Sequence, residues 1–354
     1  MRQFSVTDAQ GSLMFALSNI SGFIASYACR YLLRHYDRLT LLRAGAIGLT
    51  LSLWGLSSAL WFWLFLFFSF GFGLSLGILG LIPNILVPLG SSSERKQRLL
   101  SGLHMMYGLS SLLAPLLAAA VEHLTGSWRW TFAVASLAPI SLLLYSFHSS
   151  HHSLHTKSQI SDEDRRAHRQ RNLRPQLYLA VMLSFAVAAE IMVSSRLALY
   201  MQREWNFPME KASLYVTYFF VAMMLGRMLF ALIHFKHSAR FHLSGSLITT
   251  AVLLLLGLYG HPLFLALTGF TIAPFYPLAI SWISSEFPQD LDSAVSYMMT
   301  TDSLMLIVMH VVIGKLTDFF GIHNALLMGL FFLSASFALI HSYDWIFEKK
   351  EKLG

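Results

Sequence analysis

Charge is the scarcest property of this 354-residue sequence: Asp, Glu, Lys and Arg together make up 12% of it, against about a quarter in an ordinary soluble domain. A disordered chain, a nucleic-acid binder and a coiled coil each need charge that is missing here. Cysteine is nearly absent as well. Cys29 stands alone, which excludes a disulfide within the chain and a zinc-ribbon site. Acidic residues are outnumbered, 18 against 25 Lys and Arg, for a net charge of +7. In so apolar a chain this bias reads as membrane orientation rather than as affinity for a polyanion. Hydrophobic residues, by contrast, fill 55% of the sequence, and the mean hydropathy is +0.58. The composition is that of a polytopic membrane protein.

A helix needs about 20 mostly apolar residues to cross the hydrocarbon core. Eleven such runs are present, near 11–33, 41–59, 62–89, 97–120, 128–147, 176–200, 211–235, 243–259, 261–283, 293–316 and 322–345. They are apolar on consecutive residues, as from Leu112 to Val121, and not alternating as in a barrel strand. The expected fold is all-α. The first run is too long and too rich in Gly and Ser for the apolar region of a cleaved signal peptide, so it is expected to be a span. One long polar stretch, 148–174, separates five spans from six. The expected organisation is an N-terminal helical bundle at 1–147, a basic, His-rich linker at 148–174 and a six-helix bundle at 175–354. Placing that linker in the cytoplasm puts eighteen basic residues inside and six outside, the asymmetry of the positive-inside rule. The C-terminus is then also cytoplasmic.

The two halves carry a repeat at an offset of 192 residues. Ser92-Ser93-Glu94, Gln97, Leu99, Ser101, Met106, Ser111 and Leu112 recur as Ser284-Ser285-Glu286, Gln289, Leu291, Ser293, Met298, Ser303 and Leu304. Internal repeats mark secondary transporters, whose substrate sites lie near mid-membrane between the halves. Carried back by the same offset, the span at 176–200 falls mostly ahead of Met1. A first half lacking its own first span is therefore expected.

These residues resemble the major facilitator superfamily, most of all its fucose/galactose symporter branch. Gly71-Phe72-Gly73, Gly77, Gly80 and Pro83-Asn84 are similar to that branch's glycine-rich, Asn-bearing fourth span. Leu103-His104 through Gly108 is similar to its fifth, and Ser127-Trp128-Arg129-Trp130 to the family's Gly-Trp-Arg-Trp turn. Ala189-Glu190 with Tyr200, Gly226-Arg227, Gly269 to Pro277, and Gly314 to Gly321 resemble the seventh, eighth, tenth and eleventh spans. The resemblance implies a two-bundle fold, built here from the eleven spans counted above, five plus six, and alternating-access transport of a sugar-like solute. Proton-coupled members of the branch carry acids on the first and fourth spans, whereas here Gly80 stands four residues before Asn84.

Individual polar residues inside the spans sharpen this. Glu190 lies near the middle of its span, where a carboxylate costs roughly 2.5–3.5 kcal/mol on insertion scales, so it should face a cavity or a partner. It reads either as a coupling or solute-binding acid or as a structural acid neutralised by Arg196 or an interhelical hydrogen bond. Asp302, also near mid-depth, has Thr300, Thr301 and Ser303 beside it and Tyr297 five residues earlier. Proton uptake and a structural hydrogen bond are both open to it. His104 can bond a hydroxyl or relay a proton, and His310 more weakly so. Asn84 is either a solute contact or helix glue. The expected solute and ion pathway is thus bordered by Asn84, His104, Glu190, Tyr297 and Asp302. Arg227, near the end of its span, reads as a gate or interdomain residue, as do Lys315 and Asp318 at the opposite boundary.

Gly73-x-x-x-Gly77 reads as close helix packing rather than a dinucleotide loop, because it lies inside an apolar helix and not after a strand. His148, His151, His152 and His155 read as a solvated linker and not a metal site. Trp54, Trp61, Trp63 and Trp205 read as interface anchors and packing. No catalytic residue, cofactor or metal is expected. The expected protein is a monomeric secondary transporter of the cell inner membrane for a small polar solute, with proton or sodium coupling open and no nucleic-acid partner. A non-transporting receptor or inactive remnant, and a drug or metabolite exporter, are the alternatives.

Overall fold

The computed structural model describes residues 8–148, 162–233 and 237–351. They are almost entirely helical and contain no strand. In chain order the helices are α1 (Asp8–His35), α2 (Arg38–Ser58), α3 (Phe62–Leu89), α4 (Ser93–Thr125), α5 (Arg129–Ala135), α6 (Leu137–His148) and α7 (Asp162–Glu204). Then come α8 (Met209–Leu232), α9 (Ala239–Tyr259), α10 (Leu263–Ile272), α11 (Phe275–Glu286), α12 (Leu291–Leu326) and α13 (Met328–Glu351). Ten stretches among the described residues are long and apolar enough to cross a membrane. α1, at 28 residues, has the length of an eleventh. The all-α polytopic reading therefore holds, with two spans each broken in the middle: α5 with α6, and α10 with α11. Large apolar side chains such as Trp63 face outward, 76% exposed. That is the expected outer surface for a helix whose solvent is lipid.

The chain forms two compact units. The first contains residues up to Gly90 and from Leu113 to the end of α6. In it α3 lies between α1 and α2. A Cβ on Gly73 would sit 2.1 Å from the Ser18 carbonyl oxygen, and one on Gly77 would sit 2.5 Å from that of Gly22. The Gly73-x-x-x-Gly77 stripe is thus the contact face for α1, as its spacing predicts. Asp37 caps α2 by accepting from the Thr40 N–H, and Trp54 donates its indole N–H to Ser136 Oγ at 2.7 Å. Arg129 of the Trp-Arg-Trp turn donates to the Ser57 carbonyl at 2.8 Å. That bond ties the turn back to the end of α2.

The second unit contains residues 91–112 and everything described from Asp162 onward. α7 packs on α12, α13 and α8; α10 packs on α8 and α9. α7 starts fourteen residues ahead of the span read near 176, so 162–174 of the expected linker is helical. Residues 149–161 of that linker, with His151, His152 and His155, lie outside the described residues. Residues 91–112 cluster with this unit through α8. A Cβ on Gly108 would meet Met224 at 3.3 Å, and Arg98 donates to the Ala231 carbonyl at 3.0 Å. That carbonyl belongs to the last turn of α8, where no intrahelical donor remains. On α9, Arg240 pairs with Asp344 and lies over the Trp282 ring, while Tyr343 donates to Glu286 at 3.0 Å. Gly321, with φ +78°, ends the membrane-length part of α12.

Candidate functional site

The site starts from two prolines. Along α10 and α11 the chain reads Gly269-Phe270-Thr271-Ile272-Ala273-Pro274-Phe275-Tyr276-Pro277. Pro274 and Pro277 lack the N–H groups that would bond the carbonyls of Phe270 and Ala273 in a continuous helix. The helix breaks between Ile272 and Phe275, and two carbonyls are left open in an apolar interior. Leaving either unmet would cost about 1–3 kcal/mol.

Gly226-Arg227 on α8 answers this break. A Cβ on Gly226 would lie 2.5 Å from the Phe270 oxygen and 2.8 Å from the Ala273 Cβ, so only glycine admits so close an approach. Gly269 repeats the device in reverse, its missing Cβ lying 2.4 Å from the Phe219 oxygen. With α8 seated there, Arg227 Nε donates to the Ala273 carbonyl at 3.3 Å. From α9, Ser246 donates to the Thr271 carbonyl, and Thr250 pairs with the Thr271 hydroxyl at 2.8 Å.

Arg227 has two further directions to fill. One terminal nitrogen donates to the His104 carbonyl on α4 at 3.1 Å. The other reaches Glu190 Oε1 on α7 at 3.5 Å. Arg227 is buried and Glu190 nearly so, 4% and 11% exposed. A planar guanidinium suits three such partners better than an ammonium would. His104 also stacks edge-on against Tyr276, ring centres 4.9 Å apart, and Arg227 lies 6.0 Å from the Tyr107 ring. Three expected residues, Glu190, Arg227 and His104, are thereby brought together. Glu190 finds its cation in Arg227 and not in Arg196.

Asp302, on α12, is 7% exposed. Its Oδ1 accepts from Ser184 Oγ of α7 at 2.7 Å, and that hydroxyl is also 2.8 Å from the Ala180 carbonyl. Glu190 and Tyr276 are its ionisable neighbours. The Tyr276 hydroxyl donates to Met299 Sδ at 3.2 Å. Tyr297 is half-buried one turn and a little more before Asp302. Asn84 belongs to the first unit, where its amide donates to the Gly80 carbonyl of its own helix at 2.7 Å. Lys315 and Asp318 are exposed near the end of α12. No group of three or more His, Cys, Asp or Glu side chains capable of holding a metal occurs among the described residues.

Sequence reasoning missed Tyr276 and Ser184. The signal for Tyr276 was its place between two prolines, where a helix break turns side chains toward the neighbouring helices. Ser184 in the run Met182-Leu183-Ser184-Phe185 gave no signal beyond helix packing.

Solved structures share the fold. FucP in its outward conformation superposes with a TM-score of 0.85 at 16% identity, over 97% of this chain and 92% of that one. The human organic anion transporter MFSD10 gives 0.74 at 14% identity, over 96% of this chain and 87% of that one. The proton:xylose symporter XylE bound to 6-bromo-6-deoxy-D-glucose gives 0.73 at 12% identity, over 98% and 88%. No curated protein matches the sequence. The sequence profile of the Major Facilitator Superfamily covers residues 1–291, so the chain belongs to that superfamily and is a membrane transporter, not an enzyme.

Proposed function

We propose that this protein is a secondary transporter that moves a small, neutral, sugar-like solute by alternating access, coupled to protons. The observation that carries the reading is the buried Glu190–Arg227 pair beside the proline break of α10 and α11. The two charges cancel, so the surrounding groups offer hydrogen bonds and aromatic faces without net charge. His104, Tyr107 and Tyr276 supply the rings and polar tips that a polyhydroxy solute needs. Escherichia coli FucP is a fucose:proton symporter and XylE a proton:xylose symporter, and both support this class of cargo and coupling ion. In this reading Asn84, Tyr297 and Asp302 complete the pathway, while Lys315 and Asp318 serve a gate.

The same proposal places the multi-pass chain in the cell inner membrane as a monomer. The 148–174 segment and the C-terminus are cytoplasmic, and the bundles lie at 1–147 and 175–354. The division of eighteen basic residues against six supports that orientation.

Purified protein in lipid vesicles tests the reading. Labelled L-fucose, D-galactose and D-xylose are offered under an inward proton gradient, with a sodium gradient and a labelled organic anion as further arms. Accumulation of a sugar that collapses with a protonophore is expected. Drive by sodium alone would replace the coupling ion, and transport of the anion alone would replace the cargo. No transport in any arm would favour a non-transporting membrane protein.

A further inference from the structure

The unit built on α7 holds two buried carboxylates whose surroundings differ in kind. Glu190 faces a cation. Neutralising it would strand the Arg227 charge, buried and uncompensated, between two carbonyl oxygens. Asp302 faces none. Among the described residues its hydrogen-bond partner is the Ser184 hydroxyl.

Ser184 supplies the decisive geometry. Its oxygen lies 2.7 Å from Asp302 Oδ1 and 2.8 Å from the Ala180 carbonyl, but a hydroxyl has one proton to give. With Asp302 ionised, Ser184 donates to the carboxylate and the contact to Ala180 carries no hydrogen. With Asp302 protonated, its O–H donates to Ser184 Oγ and the Ser184 O–H donates to Ala180. Both short contacts are then hydrogen bonds, linked in one chain. The arrangement accommodates either form by rotating a single hydroxyl.

We propose that Asp302 is the proton-carrying residue of this transporter, loaded and unloaded through the Asp302–Ser184–Ala180 chain, while Glu190 stays ionised as the fixed partner of Arg227. Loading forms one O–H bond on Asp302 from a hydronium ion in the water-connected state. Unloading returns that proton to water on the other side, and the Ser184 hydroxyl swings from Ala180 back to the carboxylate. The groups facing Asp302 fit this role. From α7 come Ser184 and Glu190, the latter already paired; from α11 comes Tyr276, whose hydroxyl is committed to Met299. On α13, Tyr343 is engaged with Glu286, Asp344 with Arg240 and His341 with the Phe337 carbonyl.

The inference rests on the proton-coupled reading above, so its test needs a readout independent of transport. Infrared titration of the purified, solute-free protein follows the carbonyl stretch of a protonated carboxyl group. Wild type is expected to show a buried carboxyl band that titrates, Asp302→Asn to lack it, and Glu190→Gln to keep it. Ser184→Ala, which removes the chain but not the acid, is expected to shift the band's titration midpoint. In vesicles Asp302→Asn is expected to lose proton-driven accumulation, and its remaining exchange to become independent of pH. A band that persists in Asp302→Asn, or one lost in Glu190→Gln, overturns the proposal. If Asp302→Asn does not fold, an unshifted band in Ser184→Ala overturns it equally. A band assigned to Asp302 in a protein that moves no solute would instead sink the transport reading and leave the protonation site standing.

Discussion

Arg227 and Glu190 meet at 3.5 Å in the interior of the second unit, and the remaining nitrogens of Arg227 are spent on the carbonyls of Ala273 and His104. One guanidinium thus joins α7, α8, α4 and the broken α10–α11 pair. The pair stands on a missing hydrogen bond: without Pro277 the Ala273 carbonyl would be taken by its own helix.

Removing one member of the pair should therefore cost far more than removing both. Arg227→Gln and Glu190→Gln are each expected to destabilise the protein by about 3–5 kcal/mol, because each leaves a buried charge unmatched. The double substitution is expected to recover much of that loss. Thermal unfolding of the four proteins in one detergent checks this, with additive losses as the contrary result.

Gly226→Ala should separate α8 from the helix break. Its new Cβ would lie 2.5 Å from a backbone oxygen that cannot move aside cheaply, and overpacking of this kind costs about 1–3 kcal/mol. Gly245→Ala is the control, because a Cβ there meets nothing within 4 Å. A lower melting temperature and lost uptake are expected for the first and neither for the second.

Pro277→Ala restores an N–H that competes with Arg227 for the Ala273 carbonyl. The protein is expected to fold and to melt no lower than wild type, yet to transport more slowly because Arg227 loses an anchor. Vesicle uptake beside a melting curve separates these effects. Unchanged uptake would show that the break does not position Arg227.

Arg240 offers a contrast. Its pair with Asp344 is partly open to solvent, 30% and 45% exposed, and exposed pairs contribute about 0–1 kcal/mol. Arg240→Gln should accordingly shift the melting temperature little, the residual loss coming from its contact with the Trp282 ring.

Much of this architecture is legible in the sequence because a membrane span is a local property. The run at 62–89 coincides with α3, and Gly73-x-x-x-Gly77 does face α1. Glu190 and Asp302 stand out because carboxylates are rare and costly in such surroundings. Their partners are not local. Arg227 lies five residues from the end of α8, and by position alone it reads as a boundary residue. Its inward role depends on the Ala273 carbonyl, freed by a proline some fifty residues further on. Ser184 is one serine among several in apolar helices, and nothing along the chain marks it as the one facing Asp302. The start of α7 was hidden for another reason: residues 162–174 are too polar to register as a span yet suited to helix.

Sugar-induced proton movement tests the central claim most directly. Vesicles containing the protein are suspended in lightly buffered medium without an imposed gradient, and labelled sugar entry and external pH are recorded together. Coupled transport predicts that adding the transported sugar makes the medium more alkaline in step with its entry, and that a protonophore abolishes the pH change but not the entry. Sugar entry with no pH change would contradict the account.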